Sequence, residues 1–523
     1  MRPFTVGELY ERAVRHGGDR VALAQESRSI TYAELGRDAL RFATALQSLG
    51  VGPRDRIAFL MANCIEYAAC EYAVARVGAT RVPLATLLGN DDHVYMMNFA
   101  RCRVLVYHRK FEARVAAMIP RLETVERFIC VGDADDGIPG GHLPLASLVA
   151  AHPPTPLETA VDPEDIAGIY FTGGTTGRPK GVMLSHRSWF HTYYAELLDF
   201  DIGWHEVFVF ATPMTHAAGC LLLPVLLRQG RCVILERFDP ALLLRTIEAE
   251  RATATLLVPT MIYMLLDHPG RSAHDLGSLR NVLYGASAIA PERLKQALET
   301  FGPVFTQFFG QTEAPMALSS LPREAHVVTD RAQEQAVLAS AGRATYPTAI
   351  RLVDDSGRDV PAGAEGELIA RAPNVMSGYL DNPEGTAEAL RDGWLYTGDV
   401  ARMSADGLIT IVDRKKDVIV SGGFNVYPRE VEDVLFEHPA VRQAAVVGAP
   451  HPKWGEEVRA LVVLHEGAQA GAQELIEFVR ERKGGLHAPK AIEFTDSIPL
   501  TNLGKVDRKL IRSRYWSGRS RQV

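Results

Sequence analysis

From residue 30 to residue 160 the chain alternates two kinds of segment: helix-period patterns over 32–49 and 65–77, and short apolar runs at 56–60, 81–83, 104–107 and 127–131. Strands joined by crossover helices read this way, because parallel neighbours need a long connection that returns the chain to the same end of the sheet. The rhythm resumes with runs at 207–211, 231–235, 254–258, 281–284 and 304–308 and helices at 240–250 and 291–300. At 523 residues the chain exceeds what one core serves. The expected fold is therefore α/β, with a large N-terminal domain built on two mixed α/β sheets. Near residue 342 the pattern changes: runs at 349–353, 366–370, 394–400 and 408–412, separated by turns such as Asp-Asp-Ser-Gly and Ala-Asp-Gly, predict a small antiparallel β-barrel. A small α+β unit follows, with strands at 417–421, 441–450, 457–464 and 491–494 and helices at 428–438 and 473–482. The predicted organisation is 1–412 (barrel-like part about 342–412), a hinge at 413–416, and a mobile C-terminal domain at 417–523.

Composition narrows the function. With 47% hydrophobic and 23% charged residues the chain reads as a soluble globular protein, and a net charge of −7 without a basic stripe argues against nucleic acid as a partner. The N-terminus mixes acids and bases with apolar residues, so it reads as an amphipathic helix capped near Thr5 and not as a signal peptide. The most apolar stretch, 217–227, is too short to cross a bilayer and holds Pro224, so no membrane span is predicted. Six scattered cysteines without a C-x-x-C pair suggest buried free thiols and a cytoplasmic protein. From Trp516 onward the chain reads as a frayed basic tail.

Between Tyr170 and Met183 the sequence is Y-F-T-G-G-T-T-G-R-P-K-G-V-M. Gly173, Gly174 and Gly177 let backbone N–H groups turn inward, Thr172, Thr175 and Thr176 add hydroxyl donors, and Lys180 adds a charge. That is a phosphate cradle, although a surface loop rich in Gly and Thr would share its composition. It is not a P-loop, because Pro179 precedes the lysine and Gly181 follows it.

Three further segments carry chemistry. In F-F-G-Q-T-E (308–313) an aromatic ring beside a polar turn suits a purine face, while Thr312 and Glu313 suit a phosphate oxygen and a hard cation such as Mg2+. In W-L-Y-T-G-D (394–399) Asp399 follows a Thr-Gly turn at a strand end, where a carboxylate can accept from two ribose hydroxyls, though such turns are ordinary in β structure. The charge cluster D-R-K-K-D (413–417) lies where the two composition regimes meet. Near the end, P-L-T-N-L-G-K (499–505) puts Lys505 in a polar loop, a mobile ammonium able to touch a carboxylate and a phosphate together.

Taken in order, these motifs and S-G-G-F-N-V-Y-P-R-E (421–430) resemble the acyl-adenylate-forming superfamily of acyl-CoA synthetases, adenylation domains and firefly-type luciferases over essentially the whole chain. Two positions depart from its usual pattern, Gly173 for serine and Phe309 for tyrosine. The resemblance implies that Thr172 to Lys180 embraces the ATP phosphates and that Phe309 stacks on adenine opposite the turn Gly285-Ala286-Ser287. It also implies that Thr312 meets the α-phosphate, Glu313 holds Mg2+, Asp399 and Arg414 hold the ribose, Lys416 is the hinge, and Lys505 is the adenylation lysine. Gly422 and Gly423 would line the tunnel for the pantetheine arm of CoA. His216 would edge the acyl pocket, with Val258, Thr260, Met261, Ala286 and Phe308 beside it. No aspartate near His216 and no arginine at Phe308 favours an apolar fatty or aryl acid. The implied activity is an ATP-dependent acyl-CoA ligase of fatty acid metabolism. Its partners are a small carboxylic acid, ATP and CoA, with an acyl-carrier protein as an alternative acceptor and a homodimer as a compatible assembly.

Overall fold

Helix starts follow from local chemistry. Thr5 and Thr31 each accept the N–H of the glutamate three residues on, whose carboxylate returns to the threonine N–H, and Asp239 accepts from Leu242. The helices Val6–Gly17, Tyr32–Ser48, Ile65–Arg76, Pro240–Glu250 and Pro291–Phe301 lie where the sequence pattern puts them. The structure, a computed structural model, describes residues 4–132, 139–172, 179–501 and 505–516. The basic tail beyond Trp516 lies outside the described residues.

Among the described residues the strands form sheets of nine, eight, five and five. In the eight-stranded sheet Arg56–Leu60, Thr80–Pro83, Val104–His108 and Arg127–Val131 run parallel. In the nine-stranded sheet Val207–Phe210, Arg231–Ile234, Ala254–Leu257, Asn281–Gly285 and Phe305–Gln311 do the same. Each sheet also carries an antiparallel hairpin next to its parallel strands, Ile166–Thr172 with Lys180–Ser185 and Phe305–Gln311 with Ala314–Leu321. Those two hairpins carry the cradle and the Thr312-Glu313 turn.

Burial explains the layering. Along Arg56–Leu60, Ile57 and Phe59 enter the main core while Ala58 and Leu60 enter another, as a strand covered on both faces requires. The main core lies between the two large sheets and includes Phe42, Tyr67, Phe208, Phe308 and Leu318. Helices Pro240–Glu250 and Pro291–Phe301 cover the other face of the nine-stranded sheet through Leu243, Ile247 and Leu294. No helix among the described residues is long and apolar enough to cross a membrane. The apolar stretch 217–227 forms two short helices, Ala217–Cys220 and Leu222–Leu227. All six cysteines are free, and five of them are buried.

The predicted barrel-like part is a half-barrel. Ala349–Val353, Glu365–Arg371, Trp394–Met403 and Ile409–Arg414 pair antiparallel in sequence order, with Leu390–Arg391 beside Trp394. The last sheet, containing Ile419–Ser421, Phe424–Val426, Val441–His451, Gly455–Leu464 and Ala491–Phe494, is also covered on both faces. Val446, Ala460 and Val462 pack with Val431, Leu435, Leu475 and Val479 of two helices. Val447, Leu461 and Val463 pack with Ile498 and Ile511. This second face fixes the chain around residue 505.

Candidate active site

The site assembles from four strand ends. Thr172 and Lys180 face one another across the Ile166–Thr172/Lys180–Ser185 ladder, on either side of the Gly/Thr segment of the sequence. Gly173, Gly174, Thr175, Thr176 and Gly177 lie outside the described residues. Beside the ladder, Gln311 pairs with Ala314, which makes Thr312 and Glu313 the two residues of a tight hairpin turn. The ladder shifts register between Phe309 and Gln311, and a Cβ on Gly310 would lie 2.6 Å from the Met316 backbone nitrogen. Glycine there lets the bulge re-aim the turn. Gly285 ends the neighbouring parallel strand, where a Cβ would sit 2.3 Å from the Phe308 carbonyl oxygen, and Ala286 follows with φ +64°. The half-buried Phe309 therefore stands beside the Gly285-Ala286-Ser287 turn at the carboxyl ends of parallel strands, the edge where open α/β sheets bind ligands.

The half-barrel supplies the opposite wall. Asp399 and Arg414 are register partners on adjacent strands, and Arg414 Nε donates to Asp399 Oδ1 at 2.8 Å. Gly398 has φ +70° and donates to Glu367 Oε1, which turns the strand so that Asp399, 2% exposed, points inward. Asp399 Oδ2 is buried without a hydrogen-bond partner among the described residues. An orphaned carboxylate oxygen is costly unless a donor arrives, and a ribose hydroxyl is such a donor. Burial pushes the Asp399 carboxyl up, while the charges of Arg414, Lys416 and Lys505 oppose that and Glu313 adds to it.

Between the walls is a cavity of about 430 Å³ lined by Gln311, Glu313, Tyr379, Tyr396, Thr397 and Gly398, with Arg414, Lys415 and Lys416 at its rim. A cavity of this size suits a nucleotide-sized ligand. Lys415 is held away by Asp355 and Glu367 at 2.8 and 3.3 Å. At the rim, partial desolvation and then the Arg414 charge lower the Lys416 ammonium, while Asp417 and Asp399 oppose them.

Lys505 reaches the site from the C-terminal sheet. Thr501 N–H donates to the Lys505 carbonyl at 2.6 Å and Lys505 N–H to Thr501 Oγ1 at 3.2 Å, so residues 501 and 505 are tied to one another. Val506 packs on the sheet, and Asp507 caps the helix Arg508–Ser513, whose Ile511 is buried. Burial lowers the Lys505 ammonium to about 8, helped by Arg414 and opposed by Asp399. His216 is lowered to about 4 by burial and then by the Lys505 charge. The Lys505 charge is thus within electrostatic reach of Asp399, Arg414 and His216, and His216 Nε2 is buried without a hydrogen-bond partner among the described residues. Val258 and Phe308 are buried, with Phe308 in the main core 5.7 Å from the Phe200 ring. Met261 packs on the second core, and Thr260 lies next to it in the helix Pro259–Leu266.

The C-terminal unit is held in this arrangement by Arg402 to Glu430 at 3.1 Å, the Tyr427 hydroxyl to Glu365 at 2.6 Å, and Arg429 to the carbonyls of Ile411 and Ala339 at 2.7 and 3.1 Å. Gly422 and Gly423, with φ +61° and +85°, form the two-residue turn between Ser421 and Phe424, and they are exposed. The structure thus groups Glu313, Asp399, Arg414, Lys416 and Lys505, and leaves Gly422 and Gly423 at the surface.

Residues 9–380 match the family model of the AMP-binding enzyme, and residues 430–505 match that of the AMP-binding enzyme C-terminal domain. The chain belongs to the AMP-binding enzyme family. It is an AMP-forming acid–thiol ligase, and the family's adenylate chemistry implies use of ATP. Among its relatives, the medium/long-chain-fatty-acid–CoA ligase FadD8 of Mycobacterium tuberculosis is 38% identical over 99% of this chain and 91% of the relative. A feruloyl-CoA synthase of Amycolatopsis sp is 37% identical over 96% of each chain. Two solved structures superpose with TM-score 0.88. They are the amide bond synthetase McbA from Marinactinospora thermotolerans (34% identity; 97% of this chain, 99% of that one) and the anthranilate CoA ligase AuaEII in complex with anthranoyl-AMP (26%; 98% of each).

The donor set also fits Mg2+. Among the described residues no three His, Cys, Asp or Glu side chains cluster as a metal cage, but Glu313 offers one carboxylate at the cavity, and Mg2+ is commonly held by one or two carboxylates, waters and substrate phosphates. Tyr379 is the cavity residue that lies outside every motif read from the sequence. It enters through a two-residue edge strand, Gly378–Tyr379, too short to show a periodicity.

Proposed function

We propose that the chain activates an apolar fatty or aryl carboxylic acid as acyl-AMP and transfers the acyl group to CoA, releasing pyrophosphate and AMP. The observation that supports this reading is the Lys505 ammonium, borne by the C-terminal unit yet within electrostatic reach of Asp399, Arg414 and His216. In this reading the substrate carboxylate attacks the α-phosphorus, the bond to the β-phosphate oxygen breaks, and Lys505 offsets the negative charge that gathers between the reacting anions. Thr172 to Lys180 cradle the leaving phosphates, Thr312 touches the α-phosphate, Phe309 and Gly285-Ala286-Ser287 take the adenine, and Asp399 with Arg414 takes the ribose. Mg2+, held by Glu313, would supply charge neutralisation on the phosphates. His216, Val258, Thr260, Met261 and Phe308 would border the acyl group, and the lowered pKa of His216 keeps it neutral beside an apolar acid.

The arrangement described here suits the first half-reaction, since Gly422 and Gly423 face solvent. Rotation of residues 417–523 on 413–416, with Lys416 as pivot, would withdraw Lys505 and bring that turn to the cleft for the thiol. Relatives named for fatty acids, feruloyl and indoleacetate groups support an apolar or aryl acid. A second acceptor is favoured by one relative, the fatty acid–[acyl-carrier-protein] ligase ScoC of Streptomyces coeruleorubidus, 33% identical over 97% of this chain. Pyrophosphate release across a panel of fatty, aryl and amino acids, with CoA, a phosphopantetheinyl carrier protein or neither, tests the proposal. Acid-dependent release with fatty or aryl acids and thioester formation on CoA are expected. Release with amino acids only, or with no acid, refutes it.

A further inference from the structure

We propose that Tyr379 is a positioning residue that links the cradle lysine to the Glu313 carboxylate while keeping the two charges apart. This rests on the nucleotide-site reading above. The Tyr379 hydroxyl donates to Glu313 Oε1 at 2.7 Å, and the Lys180 ammonium stands 4.8 Å from the centroid of the same ring. One side chain thus touches both charged groups through different faces of its chemistry.

The backbone around it forms a splint. Met376 N–H donates to the Glu313 carbonyl at 2.8 Å, tying the segment to the Thr312-Glu313 turn. Ser377 N–H and Leu380 N–H donate to the carbonyls of Met183 and Gly181 at 2.9 and 2.7 Å, tying it to the strand that begins at Lys180. Tyr379 N–H donates to Thr386 Oγ1 at 2.9 Å, which fixes the residue from its far side. Two hairpins from different sheets are therefore registered by residues 376–380.

The physical need is specific. A lysine and a glutamate in direct contact neutralise one another, and a phosphate and its cation would each have to break that pair. An aromatic ring holds an ammonium through its quadrupole without neutralising it, and a phenol donates to a carboxylate oxygen without cancelling its charge. Among the described residues neither Lys180 nor Glu313 has an ion-pair partner. A phenol ordinarily ionises only near about pH 10, so the Tyr379 hydroxyl is a donor at neutral pH. Lysine's flexible stem otherwise carries large rotamer freedom, which the ring restrains before the triphosphate arrives.

The test separates ring from hydroxyl in the full chain. Binding of a non-hydrolysable ATP analogue is measured by calorimetry in EDTA and in saturating Mg2+ for the wild type, Tyr379→Phe and Tyr379→Leu. Tyr379→Phe keeps the EDTA affinity of the wild type and loses about tenfold of the gain that Mg2+ confers, the size expected for one hydrogen bond to a charged group. Tyr379→Leu also loses about threefold or more in EDTA, with the ring contact. Should the leucine variant misfold, Tyr379→Phe in a Glu313→Gln background decides, because the phenylalanine should then have no further effect on the Mg2+ gain. An unchanged gain in Tyr379→Phe, or losses that simply add in the double variant, overturns the proposal. A wild type that binds no analogue in either condition overturns the nucleotide site itself, which is a distinct outcome.

Discussion

Removing the Lys505 side chain should separate the two half-reactions. Its ammonium is lowered from 10.5 to about 8 by burial and by Arg414, against the pull of Asp399. That displacement corresponds to about 3 kcal/mol against keeping the charge in the cleft at neutral pH. A bound triphosphate removes this cost by giving the ammonium a partner. The sign follows directly: with its pKa lowered in the cleft, Lys505 loses its proton more readily there than in water. Between about pH 8 and the ordinary lysine range the arrangement gains stability as pH rises, while the charge that the proposed adenylation step uses is lost. Loss of one preorganised charge contact typically costs about 3 to 4 kcal/mol, a hundredfold or more in rate. Lys505→Ala should therefore slow acyl-AMP formation by at least that factor and leave thioester formation from supplied acyl-AMP near the wild-type rate. In the wild type, kcat/KM for ATP, which reports the free enzyme, should fall above about pH 8. Acid-dependent pyrophosphate exchange from about pH 6 to about pH 10, alongside CoA acylation from synthetic acyl-AMP, reads both quantities. Equal slowing of both steps in the alanine variant, or a level wild-type profile through the whole range, would refute the reasoning.

Gly423 has φ +85°, so Gly423→Val strains the turn that, in the proposed second half-reaction, would meet the thiol, by about 1 to 3 kcal/mol. Thioester formation should fall about tenfold or more while acyl-AMP formation stays within about twofold, a split read by the same paired assays. Glu196 is fully buried with neither carboxylate oxygen partnered among the described residues, and burial raises its carboxyl well above the ordinary range. A raised acid favours folding at low pH and costs stability as pH climbs past the unfolded carboxyl range. Glu196→Gln should therefore raise the urea midpoint more at pH 8 than at pH 5, with a gain of about 1 to 3 kcal/mol at the higher pH. A glutamine variant less stable at both would show that the charge has a partner.

Much of the fold is legible because its causes are local. Thr5 and Thr31 announce helices through glutamates three residues downstream, and Asp239 does so with Pro240 behind it. Strands such as Val104–His108 and Ala254–Leu257 are buried throughout or nearly so, and this makes them continuous apolar runs. The strand Phe424–Val426 and the helix Arg508–Ser513 escaped because three and six residues carry too little pattern. The Arg81–Glu71 ion pair, with Tyr10 donating to Glu71 at 3.1 Å and the Arg81 guanidinium 5.4 Å from the Tyr170 ring, escaped for another reason. Its members come from a helix and strand on one side and from two remote segments on the other.

The same division holds at the site. Residue order alone specified which chemical groups are present: the Gly/Thr loop with Lys180, the Thr312-Glu313 turn, Asp399 after its Thr-Gly turn, and Lys505 beyond a glycine. Backbone conformation and side-chain type are set within a few residues, so a sequence displays them. Only the tertiary structure decided that Arg414 pairs with Asp399, that Tyr379 stands between Lys180 and Glu313, and that Lys505 enters the cleft while Gly422 and Gly423 remain outside it. Those outcomes depend on how separate sheets register and where the last unit docks. They are distances between residues far apart in the chain, and no local pattern encodes them.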